Sequence, residues 1–251
     1  MNRRRILKAL AGAALCPLCA NIGFAAEGAH WSYEGAHGPD HWADLDTANK
    51  VCGFGDQQSP VAIDETIEAE LPLLKIDWAR QADTIVNNGH TIQLNFNEGG
   101  ALSVGPEQYK LVQFHFHHPS EHLIDDKRFR MEAHFVHRNA SDSLAVVGVL
   151  ISAGKANAEF AELIKAIPAS EGAPVKLESS IDPKALLPKK RGYYRYSGSL
   201  TTPPCSEIVD WFLLSDPIEV AESDIAAFAK LYPMNARPAQ KLDRRFVLRS
   251  S

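Results

Sequence analysis

The amino-acid sequence predicts a mainly β, or α+β, fold in a single domain. The chain has 251 residues, 45% of them hydrophobic, which suits one globular domain with a sizeable core, although length alone would also allow two small ones. From Thr84 onward, short segments of period-two alternation follow one another, broken by Gly, Pro and Asn. Two segments stand out as helical, so strands predominate.

The alternating segments each have the length of one strand. The predicted strands are Thr84–Val86, Thr91–Phe96, Leu111–His117, Met131–His137 and Leu144–Ile151. Two helices are predicted between and after them. One covers about Asn157–Ile167, with Asn157 as its N-cap, and the other covers about Asp224–Tyr232, capped by Ser223 and ended by Pro233.

The first 26 residues have the layout of a cleaved signal peptide. Positive residues come first, an apolar stretch covers Ala9–Ala20, and Ala25 and Ala26 suit a cleavage site. The run Asn2–Lys8 also fits a twin-arginine signal, and the alternative is an ordinary secretory signal with extra charge. We therefore expect residues 1–26 to be removed and residues 27–251 to form a periplasmic or secreted domain.

Charge and hydropathy exclude two classes of partner. Removing four positive charges and no negative ones with residues 1–26 would take the net charge from -5 to -9. No long basic run lies beyond the first eight residues, so we expect no nucleic-acid partner. No apolar run in the remaining chain is long enough to cross a bilayer, so we expect no stable membrane insertion after cleavage. A homodimer is left open.

The cysteines predict one disulfide. Cys16 and Cys19 would leave with the signal, so that Cys52 and Cys205 remain as an even pair. In an oxidising compartment such a pair favours a disulfide, and two separate buried thiols are the alternative.

Six of the ten histidines lie between positions 115 and 137. Side chains alternate along a strand, so Gln113, His115 and His117 share one face, while Val112, Phe114 and Phe116 share the other. On the next strand the face of His134 also carries Glu132 and Val136. Two neighbouring strands would thus direct His115, His117 and His134 at one point.

Three neutral imidazoles leave the fourth tetrahedral position of a zinc ion open, as in catalytic zinc sites. Gln113 and Glu132 are acceptors of the kind that orient such ligands. On spacing alone the pattern also fits histidines that are merely exposed or hydrogen-bonded. We expect His118, His122 and His137 to be structural.

The motifs Gln113–His117, Ser120–His122 and Glu132–Val136 resemble, without a gap, the zinc-site signature of the α-class carbonic anhydrases. Further segments agree in order along nearly the whole chain after the signal. They are Trp31–Tyr33, Gln58–Pro60, Asn87–His90, Ser199–Pro204 and Asn235–Gln240. The resemblance implies a large twisted, mostly antiparallel sheet with a few short helices and with Zn²⁺ at the base of a conical cavity. The implied activity is reversible hydration of carbon dioxide to bicarbonate and a proton by zinc-bound hydroxide.

The same resemblance assigns roles to individual residues. The residues that would bind zinc are His115, His117 and His134. Gln113 would orient His115, Glu132 would orient His134, and the backbone carbonyl of Asn235 would orient His117. Thr201 would donate its single hydroxyl proton to Glu121 and so present only lone pairs to the zinc ligand. Without the resemblance, Thr201 would be a turn residue.

The substrate wall and the proton shuttle also follow from the resemblance. The wall that receives carbon dioxide would consist of Val136, Val146, Leu200, Thr201, Thr202 and Trp211. His90 would carry protons to solvent, because an imidazole titrates near neutral pH, and Gly89 predicts a turn that leaves its ring mobile and wet.

Two other functions fit part of the pattern. An exported, histidine-rich metal-binding protein without catalysis would need neither Thr201, nor Glu121, nor an apolar wall. A zinc hydrolase acting on esters would use the same metal site, and we expect esterase activity only as a weak side reaction.

Overall fold

The computed structural model describes residues 30–79 and 81–250 of the chain. Its strands are β1 Ala62–Ile63, β2 Ile67–Ala69, β3 Leu74–Trp78, β4 Thr84–Asn87, β5 Ile92–Asn95, β6 Gly100–Val104, β7 Glu107–His117, β8 Leu123–Ile124, β9 Lys127–Arg128, β10 Met131–Arg138, β11 Leu144–Ala153, β12 Val175–Lys176, β13 Tyr193–Gly198, β14 Val209–Leu214, β15 Ile218–Val220 and β16 Leu248–Ser250. Its α-helices are α1 Trp42–Leu45, α2 Val51–Phe54, α3 Ala158–Ala166 and α4 Glu222–Ala229. The predicted signal segment, residues 1–26, lies outside the described residues.

One large sheet organises the described chain. Thirteen of the described strands join it, and its main path runs β12-β4-β5-β7-β10-β11-β14-β13-β16-β2. The centre is antiparallel from β5 through β7 and β10 to β11, and β11 pairs with β14 in parallel. The prediction of a mainly β fold around a mostly antiparallel sheet is confirmed.

Hydrophobic side chains cover both faces of this sheet. On one face, Phe114, Phe116 and Phe135 belong to the larger core cluster, which α3 and α4 cover with residues such as Phe160 and Phe228. On the other face a smaller cluster includes Val136, Val146 and Trp211. Burial on both faces explains why β11 is apolar along most of its length, whereas β10 is equally buried but also carries Glu132, His134 and His137.

A bulge in β7 corrects one sequence-based assignment. Val136 pairs with Gln113 but His137 pairs with Leu111, so Val112 is an extra residue opposite β10. The extra residue reverses the alternation, and Val112 packs against the smaller cluster rather than with Phe114 and Phe116. The prediction that these three residues share a face is therefore wrong for Val112.

The two predicted helices are present with different ends. Asn157 caps α3 as predicted, accepting from the backbone N–H of Phe160 at 3.1 Å. The other helix, α4, begins at Glu222, so its N-cap is Ala221 and Ser223 lies inside the first turn. The cap is displaced because β15 ends at Val220 and Ala221 turns the chain directly into the helix, with Asp224 N–H donating to the Ala221 carbonyl.

Cys52 and Cys205 form a disulfide with their Cα atoms 5.0 Å apart, which confirms the predicted pairing. It lies beside Trp42 in a third, small cluster. Within the described ranges, no helix is both long enough and apolar enough to cross a membrane.

Candidate active site

Three histidines converge between β7 and β10. His115 and His117 alternate on β7, and His134 pairs with His115 across the antiparallel ladder. One ring nitrogen from each lies within 4.8 Å of the other two. His117 and His134 are buried, and His115 is partly exposed, so the cluster is open on one side only.

Each imidazole is oriented by a different acceptor. Gln113 Oε1 accepts from His115 Nδ1 at 2.8 Å, and the Asn235 carbonyl accepts from His117 Nδ1 at 2.7 Å. Glu132 Oε1 accepts from His134 Nε2 at 2.7 Å. Because these oxygens have no proton to give, each of the three ring nitrogens must be the protonated one.

The remaining nitrogens are His115 Nε2, His117 Nε2 and His134 Nδ1, which carry lone pairs. His117 Nε2 is buried and has no hydrogen-bond partner among the described residues. A buried acceptor without a partner needs an explanation, and a cation bound by the three lone pairs would supply it. The donor set therefore fits a zinc ion with three imidazole ligands.

Burial keeps the three rings neutral at physiological pH. It lowers the pKa of His117 to about 4, partly offset by the hydrogen bond to Asn235. Burial and the neighbouring histidines hold the pKa of His115 well below its usual value, and burial also lowers the pKa of His134. Neutral imidazole is the form that binds a metal, so no proton has to be displaced first.

Glu132 belongs to a second buried group, with His122 and His134. Its Oε1 accepts from both rings, at 2.7 Å each, and its Oε2 accepts from the backbone N–H groups of Glu121 and His122. Burial alone would raise the pKa of Glu132, but His122 and His134 hold it well below its usual range. The carboxylate is thus fully used as an acceptor, and this group is a hydrogen-bond cluster rather than a second metal centre.

His122 extends this cluster toward the loop that follows β13. Its Nε2 lies 2.6 Å from Tyr196 Oη, which lies 3.1 Å from Ser59 Oγ. Ser59 Oγ in turn accepts from the Ser199 backbone N–H at 3.0 Å. The chain of contacts links the acceptor of His134 to the segment that carries Leu200 and Thr201. The sequence analysis did not identify Tyr196 and included Ser59 only within a matching segment, because only the fold brings the two side chains together.

Glu121 lies between the histidines and the segment 235–237. Its Oε1 accepts from the Arg237 backbone N–H at 2.7 Å, and its Oε2 lies 3.8 Å from His134 Nδ1. Burial raises the pKa of Glu121 to about 7, while His134, the Arg237 N–H and the Thr201 hydroxyl oppose that rise. Thr201 is itself buried, and because its hydroxyl acts on Glu121, the two side chains are neighbours.

The residues expected to form the apolar wall lie together. Val136, Val146 and Trp211 are buried in the smaller cluster, Leu200 packs against it, and Thr202 is partly exposed. Trp211 Nε1 donates to the Ser199 carbonyl at 3.0 Å, which fixes the indole beside the loop. Because of the bulge, Val112 also packs against this cluster, although alternation alone had assigned it to the opposite face.

His90 follows Gly89 in a turn, where Gly89 has a φ of +84°. Its ring is stacked on Trp31, with centroids 3.7 Å apart and planes 9° apart. The turn is as expected, but the ring is partly buried and packed against an indole rather than freely solvated.

Comparisons with known proteins agree on one family. The family described as eukaryotic-type carbonic anhydrase matches residues 37–251. A carbonic anhydrase from Nostoc sp. is 37% identical, covering 99% of this chain and 97% of its own, and one from Neisseria gonorrhoeae is 40% identical, covering 94% and 95%. The structure of an α-carbonic anhydrase from Thermovibrio ammonificans, solved with the inhibitor sulfanilamide, superposes with a TM-score of 0.86 at 41% identity, covering 88% of this chain and 99% of that one. On its sequence, its fold and these relatives, the chain belongs to the α-class, or eukaryotic-type, carbonic anhydrases.

Proposed function

We propose that this protein catalyses the reversible hydration of carbon dioxide to bicarbonate and a proton, with a zinc ion bound by His115, His117 and His134. The observation that carries the proposal is the set of three imidazoles whose protonated nitrogens are each tied to an acceptor. One ring nitrogen of each imidazole lies within 4.8 Å of the other two, which brings the three rings to one site. Zinc bound there would act as a Lewis acid that makes its water ligand acidic, the property for which carbonic anhydrases are the standard example.

Glu121 and Thr201 orient the oxygen that reacts with carbon dioxide. A threonine hydroxyl has one proton, and giving it to the Glu121 carboxylate leaves only lone pairs facing the histidines. Such a hydroxyl accepts from a protonated oxygen and thereby aims the lone pairs of that oxygen at the substrate. Arg237 supports this arrangement by holding Glu121 Oε1 with its backbone N–H.

The apolar wall holds the substrate beside the histidines. Carbon dioxide has no net charge or dipole, so side chains such as Val136, Val146 and Leu200 accept it without needing a hydrogen bond. Bicarbonate is charged and gains by returning to water. The wall thus favours substrate entry and product departure in the direction of hydration.

His90 takes the proton that each hydration produces. It lies in the turn after β4 with its ring partly buried against Trp31, and an imidazole there can exchange protons with solvent near neutral pH. We expect His90→Ala to slow turnover in dilute buffer while sparing carbon dioxide–bicarbonate interconversion at chemical equilibrium. Added imidazole should restore turnover, and a variant that turns over normally without responding to imidazole would remove His90 from the mechanism.

We place the protein in the periplasm or outside the cell. The Cys52–Cys205 disulfide is the described feature that supports an oxidising compartment, and the N-terminal sequence has the layout of an export signal.

Stopped-flow hydration of carbon dioxide by the purified protein, before and after removal of metal, tests the proposed activity. We expect rapid hydration that is lost with the metal and restored by one equivalent of zinc. A metal-binding protein without catalysis would take up zinc and leave the hydration rate at the buffer value.

A further inference from the structure

Asn235 contacts both the histidine cluster and the backbone of His90. Its main-chain carbonyl accepts from His117 Nδ1 at 2.7 Å. Its side-chain Nδ2 donates to the His90 carbonyl at 2.9 Å and to the Phe116 carbonyl at 3.0 Å. One residue therefore touches the expected metal ligand with its backbone and the expected proton shuttle with its side chain.

The Asn235 side chain has no freedom to make these contacts elsewhere. The residue is 1% exposed. Its Oδ1 accepts from the His118 backbone N–H at 2.6 Å, while its own N–H donates to the His118 carbonyl at 3.0 Å. The amide group is thus fixed in orientation at the end of β7, with both of its hydrogens directed at carbonyl oxygens.

The backbone of His90 is held from two sides. Asn88 Oδ1 accepts from the His90 N–H at 2.9 Å within the turn itself. Asn235 Nδ2 supplies the long-range contact, from a residue 145 positions away in sequence. The local contact shapes the turn, whereas the long-range one ties the backbone of His90 to the residue whose carbonyl holds His117.

We propose that the side-chain amide of Asn235 is a positioning residue for proton transfer, which sets the place of His90 relative to the metal-binding histidines. The proposal rests on the proposed function of His90. Proton relay through bound solvent depends steeply on geometry, so releasing the turn should lower the rate of proton transfer. The contact with His117 uses the main chain, and replacing the side chain leaves that carbonyl in place.

Asn235→Ala and Asn235→Asp test the proposal in the zinc-loaded protein. Alanine removes both amide N–H donors. Aspartate keeps the shape of the side chain, but in place of two N–H donors it offers the His90 and Phe116 carbonyls a carboxylate or, when protonated, a single hydroxyl. We expect the loss of turnover in dilute buffer to exceed any loss of zinc content or of interconversion at chemical equilibrium, because the His117 contact uses the main-chain carbonyl. Maximal turnover in dilute buffer should fall about tenfold, in keeping with a displaced relay group, and imidazole should restore most of it.

A double-mutant cycle separates positioning from general support. In a His90→Ala background, Asn235→Ala should cause no further loss of turnover, because the group that it positions is gone. Further loss there, unchanged turnover in the single variants, or a parallel fall in zinc content and interconversion would overturn the proposal. Failure of both variants to fold would equally overturn it, since Asn235 would then be a structural residue.

The variant His90→Ala by itself tests whether His90 is the proton shuttle. If that variant keeps full turnover in dilute buffer, His90 is not the shuttle and the proposed function loses that step, whatever the Asn235 variants show.

Discussion

At the scale of single residues, the environment of Thr201 supports the proposal of a catalytic hydroxyl over that of a turn residue. Thr201 is buried and lies beside Glu121. Its segment is also joined to Glu132 by a chain of contacts, which runs through Ser199, Ser59, Tyr196 and His122. A turn residue before two prolines would need none of these neighbours.

We expect Thr201→Ala to keep its zinc and to lose about 10²-fold in hydration rate, the effect of removing one positioned hydrogen-bonding group. Thr201→Ser keeps the hydroxyl and should retain most of the activity. Stopped-flow rates with zinc analysis provide the measurement. Equal rates for Thr201→Ala and the wild type would show that the hydroxyl takes no part.

The buried environment of His137 predicts an effect on stability rather than on activity. It is fully buried beside Trp78 on the face opposite the histidine cluster, and its Nδ1 lies 3.2 Å from the Ala145 carbonyl, to which it donates. Burial lowers the pKa of His137 to about 3, although that hydrogen bond opposes the shift. Its Nε2 has no hydrogen-bond partner within residues 30–79 and 81–250, so the ring is neutral.

The unfolded chain binds a proton at this histidine below about pH 6.5, whereas the folded chain does not until about pH 3. Stability should therefore fall as the pH drops between these values, by up to about 1.4 kcal/mol per pH unit for this one group. His137→Asn keeps a donor for Ala145 and cannot titrate. Urea unfolding of both metal-free proteins between pH 6 and 4 should show a shallower slope for the variant, and identical slopes would contradict the assignment.

At the scale of elements, the β7–β10 pair shows how far sequence periodicity reaches. Alternation places Gln113, His115 and His117 on one face because side chains in a strand must alternate. Periodicity within one strand cannot predict the bulge at Val112, because the bulge arises from the pairing of β7 with β10. The Asn235 carbonyl lies 118 residues from His117, so family resemblance and not local pattern pointed to it. The network through Tyr196 and Ser59 needed the fold itself.

The loop after β13 is tied down by the disulfide. At one end, the Cys205 N–H donates to the Thr202 carbonyl at 2.9 Å, and the Cys205 carbonyl accepts from Gln58 Nε2. At the other end, the Cys52 carbonyl accepts from Arg237 Nη2 at 2.8 Å. The bridge thus joins α2 to the segment that carries Thr201 and Thr202.

Replacing both Cys52 and Cys205 with Ala should lower the free energy of unfolding by up to about 5 kcal/mol, because the link closes a loop of 153 residues. Urea unfolding of the oxidised wild type, the reduced wild type and the double variant gives this value. The reduced wild type should match the variant. Equal stability of all three would show that the bridge contributes nothing to the fold.

At the scale of the whole molecule, the sequence of the N-terminal segment predicts that this segment is removed on export. We expect the exported protein to lack residues 1–26, because positive residues, an apolar stretch and the small residues Ala25 and Ala26 follow one another in the order of a cleaved signal. The intact mass of the protein recovered from the periplasm or medium checks this. A full-length mass there would contradict the assignment of the segment.

The central claim is that one zinc ion, held by His115, His117 and His134, makes this fold a carbon dioxide hydratase. The most direct test measures zinc content and the stopped-flow hydration rate together on the wild type, His134→Ala and a control, His41→Ala, whose histidine is exposed and outside the site. We predict one zinc per chain and rapid hydration in the wild type and control, and loss of both in His134→Ala, since two imidazoles hold zinc poorly in an open site. Normal zinc content and rate in His134→Ala would contradict the account.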